Sequence, residues 1–199
     1  KELDKLIEQN MREDLSPSLL LHSCCAPCSS YTIEYLSQFF KITVLYYNPN
    51  ISPKEEYEKR KSEQLRLIGE MKTKYPVSFL DCDYNEFLDI ARGYELCKEG
   101  GERCFRCYRL RLEKTAELAK KNNFDYFCTT LSISPLKNSQ KINEIGFELE
   151  KELDVKWLPS DFKKKEGYKR SIVLSKEYNL YRQNFCGCAY SKAQSVENK

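Results

Sequence analysis

Ten of the 199 residues are cysteine, and most of them fall in three groups. Cys24 and Cys25 are adjacent, with Cys28 three residues on. Cys104 and Cys107 form a Cys-x-x-Cys pair, and Cys186 and Cys188 flank one glycine. A Cys-x-x-Cys pair opening a helix can chelate a metal, span two irons of a cluster or act as a redox dithiol, and the helix dipole stabilises its thiolates. Chance also produces that spacing. Adjacent cysteines serve one tetrahedral zinc poorly, because a short backbone cannot easily turn both sulfurs onto one small ion. A cluster offers several irons, so neighbours can take different corners. Two small buried hydrophobes are the plainer reading of Cys24 and Cys25. Together with Cys104 and Cys107 the count reaches four, the number a 4Fe–4S cluster needs. A four-cysteine zinc shell is the chief competitor.

The other thiols are weighed in the same way. Cys28 is a fifth thiol beside such a cluster, either a ligand of a second metal or packing under the next helix. A disulfide across Cys186-Gly187-Cys188 would close a small, strained and easily reduced ring, and glycine permits the tight backbone. That suggests a redox-active pair, with two unrelated tail thiols as the alternative. Cys82, Cys97 and Cys128 are isolated near apolar segments and read as inert. His22, the one histidine, precedes the thiol loop. It is expected to bond a cluster sulfur, to donate a proton, or to be a satisfied core histidine.

These residues need a scaffold and a compartment. "KELDKLIEQNMREDL" is charged throughout and reads as an amphipathic helix rather than a secretory leader. No apolar run approaches a membrane span. The chain is therefore expected in the cytoplasm with no membrane attachment, where thiols stay reduced. Strands are expected at 19–22, in "KITVLYYNPN", in "PVSFLDCD", in "FDYFCTTLSISP" and in "DVKWLPSDF". Helices alternate with them: Ser29–Phe40 with Ser29 or Ser30 as N-cap, a long one opening at Ser52 and Pro53, a short one at 85–93, one after Gly100-Gly101, one over 136–153, and a basic one from Lys163. Five alternations predict an α/β fold with a mostly parallel five-stranded sheet flanked by helices, in a single domain over 1–192 with a loose tail over 193–199.

In such sheets ligands bind beyond the carboxyl ends of the strands. The residues expected there are Ser23-Cys24-Cys25, Asn48-Pro49-Asn50, Asp81-Cys82-Asp83, Thr129-Thr130-Leu131-Ser132 and Ser160-Asp161-Phe162. The loop after the first strand contains thiols where a phosphate cradle would have glycines, and no glycine-rich phosphate motif occurs. That argues against an ATP-dependent enzyme. The net charge is only +3, so an anionic partner must be held locally. Two stretches are basic: Arg103, Arg106, Arg109, Arg111 and Lys114, then Lys163, Lys164, Lys165, Lys169 and Arg170 with Phe162 and Tyr168 among them. Such a mixture suits the phosphates and unpaired bases of an RNA loop, and a solvated helix face is the plainer reading.

The stretches "HSCCAPCS", "YYNPNI", "GGERCFRCYRLRLEKTA", "TTLSISPLKN", "LPSDFKKKEGYKRS" and "LSKEYNLYRQNFCGCAYS" resemble the QueH-type epoxyqueuosine reductases, over about residues 20–191. The resemblance implies an adenine-nucleotide-hydrolase-like (HUP/Rossmann-like) fold. It also implies a 4Fe–4S cluster on Cys24, Cys25, Cys104 and Cys107, and a redox-active pair at Cys186 and Cys188. A second iron is implied beside the cluster, expected on Cys28 with Asp83 or Asp161. The implied reaction removes the epoxide oxygen of epoxyqueuosine at the wobble position of a tRNA with a GUN anticodon. An unidentified electron donor supplies two electrons, and His22 or a tyrosine is a candidate acid. Lys163, Lys164, Lys165, Tyr168, Lys169 and Arg170 are expected to hold the anticodon stem-loop. The rival readings are a zinc module that binds RNA, a thiol–disulfide oxidoreductase, and an ATP-dependent tRNA-thiolating enzyme.

Overall fold

Five parallel strands in the order β3-β2-β1-β4-β5 form the centre of the chain in a computed structural model, which describes residues 2–71, 77–79 and 83–197. β1 is Ser18–Ser23, β2 Lys41–Tyr46, β3 Val77–Phe79, β4 Tyr126–Thr129 and β5 Lys156–Trp157. Four of these have three residues or more, and β5 is a two-residue edge. The helices are α1 Glu2–Arg12, α2 Ala26–Leu36, α3 Lys54–Glu70, α4 Tyr84–Ala91, α5 Glu102–Lys121, α6 Ser139–Leu153, α7 Gly167–Glu177 and α8 Ala189–Glu197. Among the described residues, no helix is long and apolar enough to cross a membrane.

The middle strands read as unbroken apolar runs because both of their faces are covered. Leu19, Leu21, Ile42 and Val44 pack with Ile33 and Leu36 of α2 and Leu67 of α3 on one side. Leu20, Leu45 and Phe127 pack with Leu112 and Ala116 of α5 and Ile142 of α6 on the other. β1 lies between β2 and β4, so the strand order reverses beside it. That reversal opens the crevice where parallel sheets bind ligands.

Three element boundaries depart from expectation, and each bears on the thiols. α2 starts at Ala26 rather than at Ser29, with Cys25 as N-cap and Pro27 in its first turn. Proline costs nothing there, since that N–H has no helical partner. Ser29 is instead buried, and its hydroxyl bonds Cys25 O, Ser23 Oγ and Gln64 Oε1. Cys28 therefore sits on the first turn of the helix. The basic helix is shorter than expected: Lys165 and Glu166 take left-handed backbone and α7 begins at Gly167. The residues expected as a loose tail enter α8, which runs to Glu197. Cys82 lies outside the described residues.

Candidate metal and redox site

The thiol loop leaves β1 at the strand-order reversal and is tied to its neighbours by hydrogen bonds. Cys24 N donates to Thr130 Oγ1 at 3.3 Å, bridging the ends of β1 and β4. Asn48, after β2, donates from Nδ2 to Ser23 O at 2.9 Å. The Sγ atoms of Cys24, Cys25 and Cys28 all lie within 4.8 Å of one another, a spacing that could hold a metal ion. Cys25 and Cys28 both hydrogen-bond the sulfur of Cys24, which lowers its pKa well below that of a free thiol. The same contact, led by Cys24, raises Cys25 to about 12 and raises Cys28 as well.

Cys104 and Cys107 occupy the first turns of α5. Gly100 N donates to Cys104 Sγ at 3.2 Å. Burial raises the Cys104 thiol, and raises Cys107 to about 11. One turn beyond Cys107, the buried Arg111 lines the same cavity as Cys24, Cys25 and Cys28 and reaches Asn48 Oδ1 at 3.5 Å, which brings α5 to the β1 and β2 loops. Cys186 lines the same cavity of about 350 Å³ as Cys24, Cys25 and Cys28. Cys188 packs with Cys107, Phe87 and Ala91, and burial raises its thiol to about 12. The nine described cysteines are all free thiols. Cys128 is fully buried and points its thiol at Leu158 O, at 3.3 Å.

The Cys186-Gly187-Cys188 turn is held from α3. Arg60, 2% exposed, donates to Cys186 O at 3.0 Å and Phe185 O at 3.3 Å, while its Nε pairs with Glu56 at 2.6 Å. Ser52 N donates to Gly187 O at 2.9 Å. Gly187 has φ +116°, and a Cβ there would lie 3.0 Å from Arg60 Nη1 and from Ile51 Cγ1. From α8, Ser191 Oγ donates to Glu99 at 2.6 Å and Gln194 Nε2 to Cys97 O at 3.0 Å. The late turn is thereby fastened to both α3 and the loop before α5.

Several expected site residues stand elsewhere or do other work. His22 is fully buried, with Nε2 3.0 Å from Tyr47 O and Nδ1 2.8 Å from Thr129 Oγ1. A carbonyl only accepts, so Nε2 carries the proton and Nδ1 accepts from the threonine. Burial lowers its pKa to about 4, and both of its ring nitrogens are bonded within the sheet. Asp83 caps α4 in a capping box, in a different cavity beside Tyr57 and Lys54. Asp161 pairs with Lys163 at 3.5 Å and Lys164 at 3.4 Å, in a third cavity beside Tyr31 and Phe162. Neither lines the thiol cavity; the carboxylate that does is Glu99.

The basic stretches divide between buried side chains and surface ion pairs. Arg103 is buried and binds the carbonyls of Glu95 and Cys97 at 2.7 and 2.6 Å. Arg109 pairs with Glu148 and Glu152. Lys165 pairs with Asp4, Lys169 with Glu166, and Arg170 with Glu34 and Glu177. Of the second stretch only Tyr168 lines the thiol cavity. Arg111, Lys137 and Arg182 line it as well, and sequence reading singled out neither Lys137 nor Arg182. Arg111 was read there as part of a surface. Nothing in a single sequence distinguishes a buried arginine from its exposed neighbours on α5.

The family described as Epoxyqueuosine reductase QueH matches residues 19–194. Epoxyqueuosine reductase QueH of Streptococcus pyogenes serotype M1 is 49% identical over 94% of this chain and 75% of its own length. That of Staphylococcus aureus strain Mu50 is 44% identical, over 98% of this chain and 83% of its own. That of Thermotoga maritima is 36% identical, over 90% and 93%.

Proposed function

Because the chain belongs to the epoxyqueuosine reductase QueH family, we propose that it reduces the epoxide of epoxyqueuosine in tRNA to the cyclopentene of queuosine. The family match over residues 19–194 carries this reading. The step takes two electrons and two protons and releases the epoxide oxygen as water. The substrate is the wobble nucleoside of a tRNA with a GUN anticodon, and a separate electron donor supplies the reducing equivalents. The catalytic unit is one domain over residues 1–192, and the strand order β3-β2-β1-β4-β5 supports an adenine-nucleotide-hydrolase-like (HUP/Rossmann-like) assignment.

The donor set fits an iron–sulfur cluster. It consists of soft thiols, all free, and a buried guanidinium nitrogen without a partner, Arg111 Nη2, belongs to a side chain lining the same cavity. Cys24, Cys25, Cys104 and Cys107 would hold the 4Fe–4S cluster, which supplies single electrons when bound. A second iron on Cys28 with Asp83 or Asp161 does not fit, because both carboxylates lie in other cavities, one as a helix cap and one paired with lysines.

The protein's own residues do the rest. Arg60 orients the Cys186/Cys188 turn, a redox-active pair in this reading, against the cavity that takes the wobble nucleoside. Tyr168 at the cavity wall offers a ring on which an unpaired base can stack. Lys163, Lys164, Lys165, Lys169 and Arg170 hold the anticodon stem-loop by exchanging carboxylates for phosphates. Exposed ion pairs of this kind are worth roughly 0–1 kcal/mol, so a phosphate displaces them readily.

The test pairs two measurements on anaerobically purified protein. Iron and sulfide should each be present at about four per chain. Mass spectrometry of nucleosides should show epoxyqueuosine converted to queuosine in tRNA incubated with the protein and a reductant. Stoichiometric zinc in a colourless protein, with the epoxide unchanged, would sink the reading.

A further inference from the structure

We propose that Arg111 and Lys137 are fixed counter-charges of the thiolate cage, two cations that raise the reduction potential of the cluster it holds. The inference rests on the cluster assignment made above. Arg111 is 2% exposed and has no carboxylate within ion-pair distance among the described residues. Its Nε donates to Cys107 O at 3.2 Å and its Nη1 reaches Asn48 Oδ1 at 3.5 Å, while Nη2 is buried with no partner. A buried guanidinium without an anion is costly, and removing its counter-ion is worse. Burial opposes its charge, and the groups beside it that could become anions are the sulfurs, which ligation to a cluster would make thiolates: Arg111 lines one cavity with Cys24, Cys25 and Cys28 and bonds the backbone of Cys107.

Lys137 approaches from the loop before α6. Among the described residues its ammonium has no acidic partner, and it lines the cavity with Cys24, Cys28 and Cys186; burial opposes its charge and these sulfurs, once thiolate, favour it. Its backbone is fixed, because Lys163 Nζ donates to Lys137 O at 3.2 Å and to Ser139 Oγ at 3.2 Å. Arg111 and Lys137 line one cavity with the thiol loop. Among the described residues the carboxylate there is Glu99, which is bonded by Ser191.

Adding an electron makes a four-thiolate cluster one unit more negative. A cation close by in a medium of low dielectric stabilises that state more than the oxidised one, so the potential rises. RNA phosphates arriving at the cavity push the other way. Two built-in cations oppose that shift and keep the cluster reducible while the substrate is bound.

The experiment is a redox titration of anaerobic holoprotein, followed by visible absorbance and electron paramagnetic resonance, with iron and sulfide measured in each sample. Lys137→Arg should keep the wild-type midpoint. Lys137→Met should shift the reduction equilibrium at least tenfold toward the oxidised form, about 59 mV for a one-electron couple. Lys137→Glu should fall further, and Arg111→Met should fall while Arg111→Lys holds. If the arginine variants do not fold, the lysine series decides by itself. Lys137→Met and Lys137→Glu with full iron and sulfide and an unmoved midpoint would overturn the inference. Wild-type protein that binds no iron and sulfide overturns the cluster assignment instead, and this inference with it.

Discussion

At Gly187 the backbone conformation and the space available both forbid a side chain. Its φ of +116° disfavours any residue with a Cβ, and that atom would press on Arg60 and Ile51. Gly187→Ala is expected to displace the Cys186/Cys188 turn. Queuosine formation by the variant, read by nucleoside mass spectrometry, should fall at least tenfold while iron content stays at the wild-type level. Arg60→Met should do the same through the other partner, because Cys186 O and Phe185 O lose their donors. Full activity in both variants would mean that the turn does not need its clamp. His22 carries a related lesson. Its position beside the thiols suggested chemistry, but two hydrogen bonds and complete burial make it part of the sheet.

Elements decide what a sequence discloses. β1 and β2 were legible because buried parallel strands are continuous apolar runs, and Leu19–Leu21 and Ile42–Tyr46 are such runs. The start of α2 was not, because Ser29 and Ser30 look like caps but are buried inside the first turns. α8 was not legible either. "AYSKAQSVE" has little apolar periodicity, and its place depends on long-range bonds from Ser191 and Gln194 to residues near 97–99. Two tests belong to this scale. A Cβ at Gly146 of α6 would lie 2.3 Å from the Trp157 ring of β5, so Gly146→Ala should destabilise the fold by about 1–3 kcal/mol, seen as a lower denaturation midpoint. At the other end of the sheet, Asp125 accepts from the hydroxyl and the N–H of Ser18, both at 2.7 Å, joining the starts of β4 and β1. These bonds, the hydroxyl's first, hold its pKa below the ordinary aspartate value of 3.8. The native state then binds fewer protons than the unfolded one. The stabilisation is present above pH 3.8 and is lost as the pH falls through the native value. Asp125→Asn should flatten the acid limb of a stability–pH profile; an unchanged limb would contradict this.

For the whole molecule, charge placement matters more than net charge. The sum of +3 hides a division between exposed basic residues paired with carboxylates and two cations that line the thiol cavity, the buried Arg111 and the half-buried Lys137. Replacing Lys163, Lys164 and Lys165 together by alanine should weaken tRNA binding and reduce the slope of log K against log salt by up to about 2. A variant whose binding isotherms match wild type at every salt concentration would remove these lysines from the interface. The grouping of three cysteine pairs was legible in the sequence. The division of the cations between surface and interior was not, since it depends on which face of α5 meets the sheet.

Phe185 and Cys186 form one wall of the thiol cavity, held by Arg60, although they lie more than 150 positions after the loop they face. A ribosome making this chain finishes the sheet before it releases that wall. Delivery of an inorganic guest during synthesis would therefore meet a basin with one side missing, and delivery afterwards one with every side in place.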